Sequence, residues 1–361
     1  MNKQNFRMTA IVCHAPKDYR VEQVARPTAG PRELVIRIGA CGICASDCKC
    51  WSGAPMFWEG KQPYVKPPVI PGHEFFGYVD EMGEGAAEHF GVEVGDTVIA
   101  EQIVPCDQCR YCRSGKYWMC EVHNIYGFQR EVADGGMAEY MRLHSTARVH
   151  KIPRDMPVDD AGIIEPLACA IHTAQRGDIQ LDDVVVIAGA GPIGLMMVQV
   201  AKLKTPKKLI VIDMVEERRK LALGFGADVV IDPKNEDALE IVRSHTGGYG
   251  CDVYIEATGS PAGVGQGLDL IRKLGRFVEF SVFGAPATVD WSIIGDRKEL
   301  DIRGAHLGPY CYPIAIDLLS RGLVTSKGIV THEYKLEEWD EAIQMAYGLD
   351  SIKVLLKPKS S

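Results

Sequence analysis

Two textures divide the pattern of apolar and polar positions along the chain. From about residue 180, apolar residues come either in short unbroken runs or at helical spacing. "DVVVIAG" (183–189), "KLIVIDM" (208–214), "DVVID" (228–232), "CDVYIEATG" (251–259) and "RFVEFSVFG" (276–284) read as strands buried on both faces. Between them, "PIGLMMVQVAKLK" (192–204), "EERRKLALGFGA" (216–227), "DALEIVRSHTG" (237–247) and "GVGQGLDLIRKLG" (263–275) read as helices, with Pro192 at a first helical position. Strands alternating with helices predict right-handed βαβ units and a doubly wound parallel sheet. Residues 1 to about 155 look different. Short β-like runs such as "ELVIRI" (33–38) and "GDTVIA" (95–100) are separated by turn signals such as "VARPTAGPREL" and "DEMGEGAAEHFGVEVGD". This half is expected to be β-rich with long functional loops. Residues 306–361 break the alternation, and pattern alone does not assign them.

The run "GAGPIG" follows the first buried strand and opens a helix. It supplies Gly189, Gly191 and Gly194, with Pro192 and Ile193 between the last two, and Asp213 ends the next strand 19 residues after Gly194. That context is what a dinucleotide-binding turn requires. Gly189 permits the tight turn, Gly191 lets the backbone approach a pyrophosphate, and Gly194 lets helix and strand pack closely. The pyrophosphate sits on the free N–H groups of the helix N-terminus. The alternative is an ordinary α/β turn with an acid by chance. Asp213 accepts from both ribose hydroxyls and repels a 2′-phosphate, which favours NAD over NADP. Arg218 and Arg219 complicate that preference, because they either flank the adenine or face solvent.

Composition narrows the class. With 361 residues, 46% apolar and 24% charged, the chain is ordinary for a soluble globular protein of one large or two average domains. A formal net charge of −8 argues against nucleic acid or an anionic membrane as the main partner. No apolar run reaches the ~18 residues of a membrane span. "MNKQNFRMTAIVCHAPKDYR" lacks the apolar core and cleavage site of a signal peptide, so a cytoplasmic protein is expected. In that reducing compartment the twelve cysteines read as metal ligands, a catalytic thiol or buried small hydrophobes, not disulfides.

Four of them crowd into "CDQCRYCRSGKYWMC" (106–120), spaced C-x2-C-x2-C-x7-C. Cys106, Cys109, Cys112 and Cys120 can give tetrahedral sulfur ligation, for which zinc is the leading metal; an iron–sulfur cluster or buried free thiols are the alternatives. Four thiolates leave no open position, so such a site staples a loop and does not catalyse. Other metal-binding side chains are scattered: Cys41 and Cys44 in "CGICASD", His73 and Glu74 in "PGHE", Glu165 in "EPL". A catalytic zinc needs about three protein ligands and one open position, and residue types alone do not select them.

Taken together and in order, "CGICASD", "PGHE", the cysteine loop, "EPL" and "GAGPIG" resemble the zinc-dependent members of the medium-chain dehydrogenase/reductase superfamily, the alcohol, sorbitol and threonine dehydrogenase group. The motifs span residues 41–213, and the alternating segments extend the likeness over nearly the whole chain. The resemblance implies an α/β fold: a chaperonin-10-like, β-rich catalytic domain (1–160 and 306–361) plus a Rossmann nucleotide-binding domain (161–305). It implies Cys44 and His73 as ligands of a catalytic zinc, with Glu74 a carboxylate able to coordinate during turnover. Glu165 stands where many alcohol dehydrogenases have a cysteine, as in sorbitol dehydrogenases, acting directly or through a water. Ser46 would take the alcohol proton. Two zinc ions per chain, NAD, and a dimer or tetramer follow from the same likeness. Cys41, Cys48 and Cys50 read as packing, and Asp47 as a residue that fixes the loop. Where the family often has a histidine two residues after the aspartate, this chain has Lys49, to which no role is assigned.

Glu165 and "CGICASDCKCWSG" with "MFW" are similar to the polyol branch, in particular bacterial erythritol and threitol dehydrogenases. The expected reaction oxidises a secondary hydroxyl of a short polyol to a ketose such as erythrulose. Met56, Phe57 and Trp58 either line the substrate cleft or pack on a neighbouring subunit. L-Threonine 3-dehydrogenase and 2,3-butanediol dehydrogenase are the alternatives within the class. Outside it stands a zinc- and nucleotide-binding sensor or structural protein. "KELDIRGAH" (298–306) is a candidate edge strand for assembly.

Overall fold

The computed structural model describes residues 6–61, 63–129 and 132–359. The first five residues of the N-terminal stretch and Gln62 of the segment before His73 lie outside that description. The chain divides into two compact units, Met1–Glu165 with Tyr312–Ser361, and Pro166–Cys311.

In the Pro166–Cys311 unit, six strands form one parallel sheet. Their spatial order is Val229–Ile231, Lys208–Ile212, Val184–Ala188, Cys251–Glu256, Ile271–Glu279, Asp301–Gly304. Numbered along the chain this is the doubly wound order 3-2-1-4-5-6. The reversal of direction falls between Val184–Ala188 and Cys251–Glu256, so the loops at their C-terminal ends flank a crevice. Every residue of Val184–Ala188 is buried, as expected of β-branched runs covered on both faces. Val186, Ile210, Tyr254, Leu268 and Phe277 share one apolar cluster. Each such side chain contributes roughly 1.5–3 kcal/mol by leaving water.

One boundary departs from expectation. The helix expected over 263–275 spans Pro261–Leu270, and the next strand begins at Ile271, not at 276. Leu268, Leu270 and Ile271 suit a helix face or a buried strand equally. The pairing Cys251↔Ile271 claims the last of them for the sheet. The register then shifts before Val253↔Arg276, and Leu274 within that shift has φ 58°, a conformation no helix interior allows. The segment 298–306 does hold an edge strand, Asp301–Gly304, with one side of its backbone unpaired within the sheet.

The other unit is built on a seven-stranded, mainly antiparallel sheet. Its path runs Val330–Tyr334, Lys353–Leu356, Leu34–Ile43, Glu74–Met82, Thr97–Ala100, Val149–Lys151, and Tyr140–Leu143 also pairs with Leu34–Ile43. This settles the unassigned tail: Lys353–Leu356 adds antiparallel to Leu34–Ile43, with Val354↔Ile43 and Leu356↔Cys41 in register. On the opposite side of the same central strand, Gly42 faces Glu74. Residues near positions 43, 74 and 353 are thereby brought side by side. Among the described residues no helix is long and apolar enough to cross a membrane.

Candidate active site

Cys44 follows the central strand directly and is the N-cap of the helix Ala45–Ser52. The buried Asp47 carboxylate accepts the Cys44 N–H at 2.9 Å, which closes the first turn and fixes where the thiol points. Gly53, at φ 87°, ends the helix with its N–H on the Cys50 carbonyl. Ser46 lies on the first turn, its Oγ 3.4 Å from His73 Nε2. His73 and Glu74 enter the site from the turn into the strand Glu74–Met82. Gly72 makes that turn at φ 97°, where a Cβ would stand 2.6 Å from Cys41 Sγ. Cys41, Cys48 and Cys50 are buried, and Tyr19 donates to Cys50 Sγ at 3.2 Å. Lys49 lies on the last turn of the same helix.

One ligand atom each from Cys44, His73 and Glu74 lie within 4.8 Å of one another. His73 Nδ1 and Glu74 Oε1 are buried and have no hydrogen-bond partner among the described residues. Asp47 Oδ1 stands 3.6 Å from that Nδ1. Burial pushes the His73 imidazole toward its neutral form, but Asp47, Cys44 and Glu165 outweigh it and raise its pKa well above the usual histidine value. Negative charge that holds a proton there favours a divalent cation in the proton's place. A soft thiolate, an imidazole and a buried carboxylate oxygen without a partner fit zinc, and three protein donors leave a position open.

Two residues of this site are not evident in the sequence. The first is Lys353, 2% exposed, whose Nζ donates to Glu74 Oε2 at 2.5 Å and to the Ile43 carbonyl at 3.2 Å. One Glu74 oxygen is thus held by the lysine while the other is left for the site. Gly42 makes room for this arrangement, since a Cβ there would meet Glu74 Oε2 at 2.2 Å. A lysine heading the apolar run "KVLL" was the available signal. The second is Gln102. Glu165, in the first turn of the helix Ile164–Gly177, is buried, and its Oε1 accepts from Gln102 Nε2. Glu165 is also close enough to act electrostatically on His73 and Lys353.

Of the aromatic run 56–58, Phe57 is buried and stacks on Phe128 with centroids 5.6 Å apart. Phe128 in turn lies 5.6 Å from the His73 ring. Met56 is exposed, and Trp58 Nε1 donates to the Cys50 carbonyl.

Cys106, Cys109, Cys112 and Cys120 form a second cluster, with their sulfurs within 4.8 Å of one another and all free of disulfides. Cys106–Cys112 and Cys109–Cys112 sulfurs are 4.0 and 3.5 Å apart, bracketing the edge of about 3.8 Å for a tetrahedron with ~2.3 Å metal–sulfur bonds. Main-chain N–H groups of Cys109, Cys112 and Cys106 point at the sulfurs of Cys106, Cys109 and Cys120. The N–H groups of Cys112 and Glu121 are the main cause that lowers the Cys109 thiol to about 6, whereas burial and the neighbouring thiols push Cys112 up to about 12 without a metal. Thiolates are the form that binds metal.

In the other unit, the crevice carries the glycine turn. Gly189 has φ 98°, and a Cβ there would meet the Ala257 carbonyl oxygen at 2.6 Å. Gly194 approaches so closely that a Cβ would stand 2.0 Å from the Gly189 carbonyl oxygen. Gly191 faces open space, as a backbone that receives a ligand should, and is the N-cap of the helix Pro192–Leu203, whose first two residues are Pro192 and Ile193. Asp213 Oδ2 accepts from the Ala190 N–H at 2.7 Å and Oδ1 from the Val215 N–H at 2.8 Å, which ties the glycine turn to the end of the next strand. Arg219 is engaged with the Asp213 carbonyl and with Asp232, and Arg218 is half-buried beside it.

Two family models match the chain: the alcohol dehydrogenase GroES-like domain over residues 30–154 and the zinc-binding dehydrogenase over residues 192–321. An erythritol/L-threitol dehydrogenase of Mycolicibacterium smegmatis is 49% identical over 99% of both chains. An L-threonine 3-dehydrogenase of Pyrococcus horikoshii is 35% identical over 94% of this chain and 95% of its own length. A crystal structure described as a short chain alcohol dehydrogenase from Escherichia coli CFT073 complexed with NADH has a TM-score of 0.85. It shares 30% identity over 97% of this chain and 99% of that one.

Proposed function

The chain belongs to the zinc-dependent alcohol dehydrogenases of the medium-chain dehydrogenase/reductase superfamily, and from that membership we propose that it oxidises a secondary hydroxyl of a tetritol such as erythritol or threitol to a ketose, with NAD as acceptor. The observation that carries this reading is the meeting of Cys44, His73 and Glu74 in one buried cluster, in a chain 49% identical to an enzyme of that substrate class. The threonine dehydrogenase is more distant, at 35%.

Cys44 and His73 would hold the catalytic zinc, with Glu74 and Glu165 as the carboxylates nearby. Bound zinc supplies a Lewis acid that acidifies the alcohol, and NAD supplies the hydride acceptor. The overall change would be from alcohol and NAD+ to ketone, NADH and a proton. Ser46 relays the proton outward. One of the two carboxylates would accept a hydrogen bond from the neighbouring hydroxyl of a vicinal diol. That orients one carbon for oxidation and disfavours simple alcohols. Gly189, Gly191, Pro192, Ile193 and Gly194 would cradle the pyrophosphate, Asp213 would take the ribose hydroxyls, and Arg218 would flank the adenine. Initial rates of NADH formation on erythritol, D- and L-threitol, sorbitol, 2,3-butanediol and L-threonine test the reading. Activity on threonine alone overturns it, and no turnover on any alcohol favours a binding protein.

Asp213→Ala is expected to raise kcat/KM for NADP relative to NAD by about tenfold, since one acidic partner of the ribose is worth about 1–2 kcal/mol. An unchanged ratio would show that another residue reads the ribose. Cys106, Cys109, Cys112 and Cys120 would hold a second zinc that staples their loop. Cys109→Ser should reduce metal content from about two zinc per chain to about one and lower the melting temperature, while the folded fraction keeps most of its kcat. A stable variant that is merely slow contradicts this.

The same reading makes it a cytoplasmic homo-oligomer, a dimer or tetramer. All twelve cysteines are free, and the Asp301–Gly304 edge offers backbone groups to a second copy. Light scattering of the purified protein reads its mass.

A further inference from the structure

We propose that Gln102 is a positioning residue of the reaction: its amide is keyed by Tyr312 so that its NH2 group faces, and aims, the Glu165 carboxylate. The assignment rests on the reading that Glu165 works beside Cys44 and His73.

Gln102 links the strands Thr97–Ala100 and Ile103–Val104 and is 2% exposed. Its Nε2 donates to Glu165 Oε1. At its other end, Oε1 accepts from the Tyr312 hydroxyl at 2.6 Å, and the main-chain N–H of Gln102 donates to that same hydroxyl oxygen at 3.3 Å. A tyrosine hydroxyl has one proton. With its oxygen receiving the main-chain N–H, that proton goes to the Gln102 side-chain oxygen. Turning the amide over would set its oxygen against the Glu165 carboxylate and forfeit the bond from the Tyr312 hydroxyl. The side chain is locked in one sense, and the donor meets Glu165 in a buried, charge-assisted bond.

Tyr312 is itself held. It is fully buried and its ring stacks on His150, with centroids 5.4 Å apart and planes 18° from parallel. His150 Nε2 lies 3.1 Å from Glu101 Oε1, and the Tyr117 hydroxyl donates to Glu101 Oε2 at 2.8 Å. Tyr117 opens the turn that delivers Cys120 to the cysteine cluster. The key is thus the end of a buried series of hydrogen bonds and one ring stack that runs from the cysteine loop to Glu165. Partners one shell removed from a metal site change activity by about 10–100-fold when lost.

The test is a double-mutant cycle on the zinc-loaded enzyme, assayed with erythritol and NAD. Gln102→Met keeps the side-chain volume and removes the amide. It is expected to lower kcat/KM by about 10–100-fold, mainly through kcat. Glu165→Gln should cost at least as much. If Gln102 acts through Glu165, the double variant is no worse than Glu165→Gln alone, within about twofold. With cobalt(II) exchanged into the protein, Gln102→Met and Glu165→Gln should displace the visible absorption in the same direction. Tyr312→Phe, which removes only one oxygen, should give a smaller loss of the same non-additive kind, and it serves if Gln102→Met does not fold. Losses that multiply in the double variant would make Gln102 an independent packing residue and overturn the assignment while leaving the site reading intact. A silent Glu165→Gln would overturn the site reading and the assignment together.

Discussion

Cys44→Ala is expected to lower kcat at least about a thousandfold while NADH affinity stays within about twofold. The magnitude follows from the chemistry: Lewis-acid stabilisation of developing charge is worth several kcal/mol, and about 4 kcal/mol is three orders of rate. The direction follows from the supports. Cys44 contributes its sulfur to the Cys44–His73–Glu74 cluster, whereas its main-chain N–H, not its side chain, is what Asp47 holds. Removing the sulfur therefore leaves the helix start in place. On the proposed reading the dinucleotide is supported by the glycine turn and Asp213 in the other unit, on groups that do not involve Cys44. His73→Ala is the less clean variant, because it also leaves the buried Asp47 without the imidazole beside it. Rates and a fluorescence titration with NADH decide the matter. Turnover within tenfold of the parent, or a collapse of NADH affinity in a folded protein, would contradict the assignment.

Lys353→Met is expected to destabilise the unit that contains the Cys44–His73–Glu74 cluster by about 3–5 kcal/mol, the usual cost of removing one partner of a buried ion pair. Lysine and carboxylate are 3% and 1% exposed in their side chains, so no water replaces the lost ammonium. Lys353→Met with Glu74→Gln should recover most of the loss, since two neutral groups of similar size need no counter-charge. The pH dependence has a definite sign. Burial alone would lower the Lys353 pKa, but Glu74, Cys44 and Glu165 raise it above the ordinary lysine value. A raised lysine contributes stability that is full below the unfolded value of about 10.4 and is lost as pH rises through the folded value. The difference between parent and variant should accordingly be flat from about pH 6 to 9 and shrink only in strong alkali. Urea unfolding of both proteins at several pH values measures it. A gap that closes near neutrality would show that the pair is not what holds the unit together.

Local features are legible in the sequence because their partners are local. The four-cysteine loop closes within fifteen residues, and "GAGPIG" declares its turn through glycines that sterics demand at 189 and 194. The alternation of strands and helices likewise announces the parallel sheet. Illegible features depend on pairing between distant segments. Lys353 reads as one more charge near the end of the chain until antiparallel pairing sets its strand against Ile43, with Glu74 on the far side of the same strand. Gln102 reads as a loop residue until Tyr312 returns from 210 positions away. The misplaced end of the helix at Leu270 has another cause: an apolar spacing that helix and strand share, decided by the neighbouring strand.

The lysine that neutralises Glu74 is encoded 279 residues after it. At ribosomal speeds of about 5–20 residues per second, that separation is roughly 15–55 s of translation. Throughout that interval a nascent chain carries the glutamate without its counter-charge and the central strand without its last neighbour. The counter-charge beside the Cys44–His73–Glu74 cluster therefore arrives only after residues 166–311 have been translated, so the chain must carry that buried carboxylate through the synthesis of its other unit.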